Sequence, residues 1–415
     1  MSSRPSSRSY SRREFLKKGS AAVAGIALAP SIASAQASAA RTSHKKVRIG
    51  IVGGGFGKAF YWHEHPDCIV EAVSDLRSDR RKLLMKTYKC DKPYESLEKL
   101  ILDKNIDAVA VFTGAPDHVR HCVAVLQAGK HVICAVPAAM SLKEAEELRN
   151  TVEETGLTYM MAETSYYRQA AISARKFYNE GKFGQILYTE SEYHHPHVEK
   201  LWFDKDGNPT WRHGLPVMLY PTHCTSFLIG TTGERLSEVM CLGWGDDSPA
   251  LKGNAYNNPF WNSVALFKTD KGNAFRVGRM RKGAIRGCER AEWYGEKMSF
   301  LMADQNGCGP VIIRTGKQTE KDKGGIVREL PPFEQYEQPQ WWKTDMLPEP
   351  LRHNSGHGGS HTFLTHEFID ALANERRPAI DIYESLAYTV PGIIAHKSAL
   401  QGGKQMKIPS FDPKG

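Results

Sequence analysis

A chain of 415 residues is too long for one ordinary hydrophobic core, so two domains are expected. With 41% hydrophobic and 24% charged residues it has the make-up of a soluble globular protein, which argues against a disordered or membrane-spanning chain. Part of the formal charge of +9 sits in the first 50 residues, and no Lys/Arg block interleaved with aromatics follows, so no nucleic-acid partner is expected.

The first forty residues read as a targeting segment rather than as part of the fold. Ser11-Arg12-Arg13-Glu14-Phe15-Leu16-Lys17 has the pattern of a twin-arginine export signal. The weakly apolar stretch from Ala21 to Pro30 is too short to span a membrane in the mature protein. Ala33-Ser34-Ala35 and Ala37-Ser38-Ala39 both suit a signal peptidase, placing the mature start near Gln36 or Ala40 and the protein in the periplasm. Eight cysteines show neither Cys-x-x-Cys nor zinc-ligand spacing, and buried free thiols are expected.

From Lys46 onward, short apolar runs alternate with helical patterns. Strands are predicted at Val47 to Val52, Ile69 to Ser74, Ala108 to Phe112, His131 to Ala135 and Thr158 to Ala162, with helices such as Leu142 to Thr155 between them. This is a doubly wound parallel α/β domain over residues 45–165. Residues 166–415 change texture, with one helix from Ala170 to Glu180. β-rich runs follow at Ile186 to Tyr193, Leu236 to Trp244, Ser263 to Lys268, Ala274 to Met280 and Ala291 to Tyr294. Turns such as Thr269-Asp270-Lys271-Gly272-Asn273 join them into a large, mostly antiparallel sheet of an α+β domain. An irregular excursion from Glu329 to Leu351 precedes a closing helix at Thr362 to Ala373, and there are no internal repeats.

Gly53-Gly54-Gly55-Phe56-Gly57 stands directly after the first strand, where a helix is expected to follow. Glycines there let the backbone approach a pyrophosphate and let a helix N-terminus point its N–H groups at it, the Rossmann arrangement. The third glycine of Gly-x-Gly-x-x-Gly would fall at 58, which is Lys58; Gly57 comes one position early. Asp75, 22 residues after Gly53, can accept from the adenosine ribose diol and would repel a 2′-phosphate, so NAD is expected as cofactor. Arg77 and Arg80 close behind soften that discrimination and keep NADP as the alternative.

With this turn, the loop Thr113-Gly114-Ala115-Pro116-Asp117-His118, the approach Gly129-Lys130-His131-Val132 and the junction Gly184-Gln185-Ile186, the chain resembles the glucose-fructose oxidoreductase/inositol dehydrogenase (Gfo/Idh/MocA) family. The resemblance implies a nicotinamide-dependent oxidoreductase acting on a sugar, with Thr113, Pro116 and His118 over the cofactor and a homo-oligomer formed through the open sheet. In that family the strand after Gly-Lys-His-Val ends in Glu-Lys-Pro, whose lysine meets the reacting hydroxyl. Here the same place reads Ala135-Val136-Pro137, which keeps Val136 and Pro137 beside the cofactor but removes the proton-transferring amine. A valine neither donates nor accepts a proton, so other groups must serve, or the protein has become a non-catalytic, NAD-bound sugar-binding protein.

The family's substrate helix carries an Asp and, four residues on, a His; these positions are Leu219 and His223 in Leu219-Tyr220-Pro221-Thr222-His223. Tyr220 and His223 are spaced to share one helix face and point together into the cleft as the catalytic pair. Tyr-Pro-Thr-His is similar to NAD-dependent α-N-acetylgalactosaminidases, which cleave glycosides by transient oxidation at C3 and also carry Gly-His-Gly-Gly; this chain has Gly356-His357-Gly358-Gly359-Ser360-His361. Tyr193, His195, Trp211, Arg212, His357, His361 and Glu163 are the expected substrate contacts, although an ion pair would explain Glu163 equally well. In His194-His195-Pro196-His197, His195 and His197 would share a side of a strand, yet no convincing carboxylate partner is supplied locally, so no metal is expected. Two chemistries fit: net oxidation of a sugar hydroxyl, and redox-neutral glycoside cleavage.

Overall fold

The structure, a computed structural model, describes residues 46–321 and 323–413. The expected export signal lies outside them.

The apolar runs of the first half form β1 (Val47–Val52), β2 (Cys68–Ser74), β3 (Pro93–Tyr94), β4 (Ala108–Val111), β5 (His131–Cys134) and β6 (Tyr159–Met161). They pair in parallel in the order β3-β2-β1-β4-β5-β6. Strands covered on both faces must be apolar throughout, and every residue of β4 is buried. The order reverses between β1 and β4, the place where such sheets open a crevice at their C-terminal ends. The crossovers use α1 (Ser78–Tyr88), α2 (Leu97–Leu100), α3 (His118–Gln127) and α4 (Leu142–Thr155). Ser141 starts α4 by accepting the Glu144 N–H at 3.2 Å, Glu144 reaches back to the Met140 N–H, and left-handed Gly156 ends the helix.

No α-helix follows the glycine turn. Instead, 3-10 turns span Gly57–Ala59 and Trp62–Glu64, so the expectation of a helix N-terminus aimed at a pyrophosphate is corrected. The physical reason is the run of aromatics. Phe60 and Trp62 are fully buried, Phe60 stacks on Phe112 (4.3 Å) and His361 (4.5 Å), and Tyr61 turns left-handed to let both neighbours point inward.

The second half holds α5 (Gln169–Asn179), β7 (Ile186–His194), α6 (Thr222–Thr232), β8 (Leu236–Trp244), β9 (Asn262–Thr269), β10 (Ala274–Met280), β11 (Cys288–Gly295), β12 (Met298–Leu301) and β13 (Val311–Arg314). After β14 (Gln318–Lys321) and β15 (Val327–Leu330), which pair with each other, come β16 (Phe333–Gln335) and, much later, β17 (Met406–Lys407). The large sheet has the order β16-β13-β12-β11-β7-β10-β9-β8-β17, with only β7 and β10 parallel. β16 adds an edge strand inside the stretch expected to be irregular. α6 lies on one face of this sheet and is buried on nearly all sides.

α7 (Gly356–Ala373) starts earlier than expected, and His357, Gly358 and Gly359 break its first turn with positive φ. A further helix, α8 (Ile382–Leu400), was not expected; Pro391 and Gly392 interrupt its sequence pattern. It returns to the first domain, where the Met161 N–H donates to Ile380 O at 3.1 Å and the Ala138 N–H to Thr389 Oγ1 at 3.3 Å. One continuous core therefore runs from β1 and β4 through α7 and α8 to the large sheet. No helix among the described residues is long and apolar enough to cross a membrane. All eight cysteines are free; six are buried, but Cys288 is half-buried and Cys308 exposed, contrary to a uniform burial.

Candidate active site

A cavity of about 630 Å³ opens beside the glycine turn, lined by Gly53, Gly55, Phe56, Asp75, Arg80 and Thr113 among others. Gly53 has φ +98°, and a Cβ there would stand 2.2 Å from the Phe112 carbonyl oxygen, so only glycine fits. Asp75 accepts the Gly54 N–H at 2.7 Å and the Arg77 N–H at 2.8 Å, which fixes its carboxylate on the cavity wall. The Arg77 guanidinium engages Asp79 instead, while Arg80 packs against Gly55. A backbone cradle that a Cβ would fill, with an acid at the end of β2, fits the adenosine half of a nicotinamide dinucleotide.

Of the other residues expected at the cofactor, His118 and Val136 line the adjoining cavity, while Gly57, Pro116 and Pro137 line neither. Gly57 is buried beneath the Phe112 ring, where it permits close packing, and Pro116 is exposed outside the cavities described here. Pro137 offers only its carbonyl, and that to His118 at 2.8 Å; His118, also 3.2 Å from Thr113 O, is a buried brace between the two loops. Its burial holds its pKa below the usual value.

A second cavity, about 240 Å³, adjoins the first, since Phe56, Phe112, Thr113, Leu201, Trp211 and Arg212 line both. Val136, Tyr193, His195, Tyr220, His223 and His357 line it, so most of the expected substrate contacts converge here. Its floor comes from the large sheet. Register places Arg279 beside Tyr193 and Tyr193 beside Glu289, so the three project to the face that α6 covers. The Tyr193 ring lies 4.7 Å from the His223 ring and carries the Arg279 guanidinium 4.4 Å above it.

Tyr220 and His223 do meet, with ring centroids 5.4 Å apart, but not as neighbours on a helix face. α6 begins at Thr222 with Pro221 at the N-cap position, and Tyr220 precedes it outside the helix, closing the 3-10 turn Val217–Leu219 with φ -126° and ψ 53°. Burial pushes the Tyr220 phenol up, so it stays a neutral O–H donor.

Glu163 is not a pocket wall; it lies wholly buried behind His223, with Oε1 2.7 Å from His223 Nδ1 and 2.8 Å from the Ser165 N–H. Burial alone would raise the Glu163 carboxyl, yet His223 and these hydrogen bonds outweigh it and hold the acid ionised, below its usual range. An ionised carboxylate only accepts, so His223 Nδ1 carries a proton, and in the neutral ring Nε2 is the acceptor. The Ser165 hydroxyl donates to Glu289 at 2.5 Å, and Glu289 pairs with Arg168. Burial works against Glu289 as well, but Arg168 and the hydrogen bonds bring it down to about 2.

His361 is likewise behind the pocket rather than in it. Its Nδ1 is 2.7 Å from Ala59 O, which requires an N–H there, so its Nε2 accepts from His357 Nδ1 at 2.7 Å. Burial keeps both rings neutral, His361 with a pKa of about 4, and His357 is left with a bare Nε2. Among the pocket's histidines, His223 and His357 thus each have a partner fixing the tautomer.

β7 ends at His194, and His197 lies exposed in a left-handed turn, so His195 and His197 do not share a strand face as expected. Glu192, His194 and Cys288 form a compact group on the opposite sheet face, but the Glu192 carboxylate is occupied by Arg276 and Arg290. Sequence reading missed Ser165, Arg168, Arg279, Arg281 and Glu289. Only Arg279-Met280-Arg281 carried a local signal, two arginines at strand period on one face.

Residues 47–163 match the oxidoreductase family with an NAD-binding Rossmann fold, and residues 319–414 match the C-terminal domain of glycosyl hydrolase 109. Residues 47–163 thus carry the NAD-binding domain of the Gfo/Idh/MocA oxidoreductase family. A glycosyl hydrolase family 109 protein of Solibacter usitatus is 27% identical, covering 97% of each chain. An α-N-acetylgalactosaminidase of Shewanella oneidensis is 23% identical over 96% of this chain and 95% of its own. In fold, the chain is similar to levoglucosan dehydrogenase in complex with NADH and levoglucosan (TM-score 0.70, 18% identity, 88% of this chain and 100% of that one). It is similar also to myo-inositol 2-dehydrogenase of Lactobacillus plantarum (TM-score 0.66, 16% identity, with the same coverage). The protein is a nicotinamide-dependent enzyme, and its parallel and antiparallel sheets are those expected.

Proposed function

We propose that this enzyme cleaves a glycoside by transient oxidation, without net redox change. One observation carries the reading: two imidazoles with bare Nε2 atoms open on one pocket in which the lysine position is Val136, and one of them, His357, comes from the segment similar to glycosyl hydrolase 109. Nicotinamide dinucleotide, when bound, supplies a reversible hydride acceptor. His223 Nε2 takes the proton of the sugar hydroxyl, and Glu163 stabilises the imidazolium that forms. Oxidation at C3 acidifies the C2–H, and His357 Nε2 takes that proton as the C1–O bond breaks and the aglycone leaves; water then adds at C1 as the proton returns to C2, and return of the hydride to C3 restores the hydroxyl. Tyr220 donates its O–H to the same sugar, and Asp75 on the adenosine side favours NAD over NADP.

The test is incubation with p-nitrophenyl glycosides in D₂O. Phenolate release without accumulating NADH, with deuterium entering at C2, is expected; stoichiometric NADH with no cleavage across the panel would restore a plain sugar dehydrogenase, which the structural neighbours favour. The Arg12-Arg13 pair supports export to the periplasm by the twin-arginine route. Replacing both by lysine is expected to retain the protein in the cytoplasm. The exposed Met240, Leu242, Trp244 and Leu266, adjacent across β8 and β9, support a homo-oligomer.

A further inference from the structure

The substrate pocket contains cations that its own acids do not neutralise. Arg279 and Arg281 are 2% and 6% exposed, a costly position for guanidinium groups without counter-charge. Each donates to one backbone carbonyl, Arg279 to Tyr220 O and Arg281 to Leu215 O. The Arg279 Nε has no partner, and neither residue forms an ion pair with a carboxylate among the described residues. No Asp or Glu lines the pocket. The acids behind it are committed, Glu289 to Arg168 and Ser165, Glu163 to His223 and the Ser165 N–H. Arg212 adds a third cation, stacked on Trp211 at 4.2 Å, but it also lines the dinucleotide cavity and is available to phosphates there.

The pocket's imidazole acceptors are those assigned above to proton transfer, whereas its guanidinium groups only donate. Planar forks held side by side match a planar or tetrahedral oxyanion. Burial, reinforced by Arg279 and Arg212, pulls Arg281 down to about 9, which an arriving anion would reverse.

We infer that the pocket takes a sugar bearing an anionic group, a carboxylate or a sulfate or phosphate ester, held by Arg279 and Arg281. This rests on the pocket being the substrate site proposed above, and not on which chemistry follows.

The test is calorimetric titration of the NAD-loaded protein with hexoses, the matching hexuronates, hexose 6-sulfates and hexose 6-phosphates, which separates the three anion types. At least one anionic sugar is expected to bind about 10-fold or more tighter than its parent hexose, the scale of a charge-assisted pair, with the preference shrinking as salt rises. Arg281→Gln, which still donates to a carbonyl, should remove most of that preference and leave NAD affinity unchanged. Neutral hexoses binding as well as every anionic partner, or a preference that survives both Arg281→Gln and Arg279→Gln, overturns the inference. If the variants do not fold, the wild-type panel decides. Anion preference without bond cleavage upholds the inference and removes the glycosidase reading; cleavage of neutral glycosides with no anion preference does the reverse. No binding of any sugar overturns both.

Discussion

Glu163 gives His223 a single tautomer, and that is what makes the imidazole a base at the pocket rather than a group of either polarity. His223→Ala is expected to lower turnover by roughly 100- to 10,000-fold, the usual cost of losing a general acid/base, while NAD affinity holds. Kinetics and cofactor titration on one preparation check this; wild-type turnover would move the proton transfer to His357. His357→Ala should act on a different step. C–H proton removal stops, so NADH absorbance appears on mixing with substrate while phenolate does not; loss of both signals would show that His357 only shapes the pocket. Sequence alone pointed to both histidines through Tyr-Pro-Thr-His and Gly-His-Gly-Gly. It could not show that Glu163 stands behind His223, because 60 positions separate them and only the packing of α6 on the turn after β6 brings them together. Nor could it tell His357 from His361, which differ solely in which ring faces the cavity.

At the scale of elements, the position of Tyr220 depends on a contact between the 3-10 turn Val217–Leu219 and α8. Gly392 allows it: a Cβ there would lie 2.0 Å from Met218 O and 2.4 Å from Pro221 Cγ. Gly392→Ala should therefore destabilise the protein by about 1–3 kcal/mol, the range for overpacking, and lower turnover by displacing Tyr220. Denaturant unfolding checks the first effect; an unchanged midpoint would show that the turn yields freely. The strands were legible because period-2 and all-apolar runs bounded by glycine turns admit few alternatives, and Leu236–Trp244 and Ala274–Met280 fall where their runs do. α8 was illegible because helix periodicity needs a polar side, and this helix is buried around most of its circumference with Pro391 in its middle. The missing helix after Gly57 is the converse case, where packed aromatics overrode a local pattern.

For the whole molecule, buried neutral histidines set the acid limit. Burial pulls both His361 and His396 down from 6.5 to about 4, so the folded protein resists protonation that the unfolded chain accepts. Their contribution is complete above pH 6.5 and is lost as pH falls from there toward 4. Glu289, brought down from 4.5 to about 2, adds a further loss below pH 4.5. The urea midpoint should fall steadily from pH 6.5 to 4, and His396→Leu should flatten that slope; a pH-independent midpoint would contradict it. On the outer sheet face, Leu242→Lys with Leu266→Lys should convert an oligomer to monomer by light scattering. An unchanged mass would place the contact elsewhere.

The hydrogen bond from the Ala138 amide to Thr389 joins residues 251 positions apart. A ribosome therefore finishes β1 to β6 long before it makes the helix that seals them. Until then the flank of that sheet against α8 is uncovered, so a fragment ending near residue 165 should aggregate rather than fold, as light scattering would show.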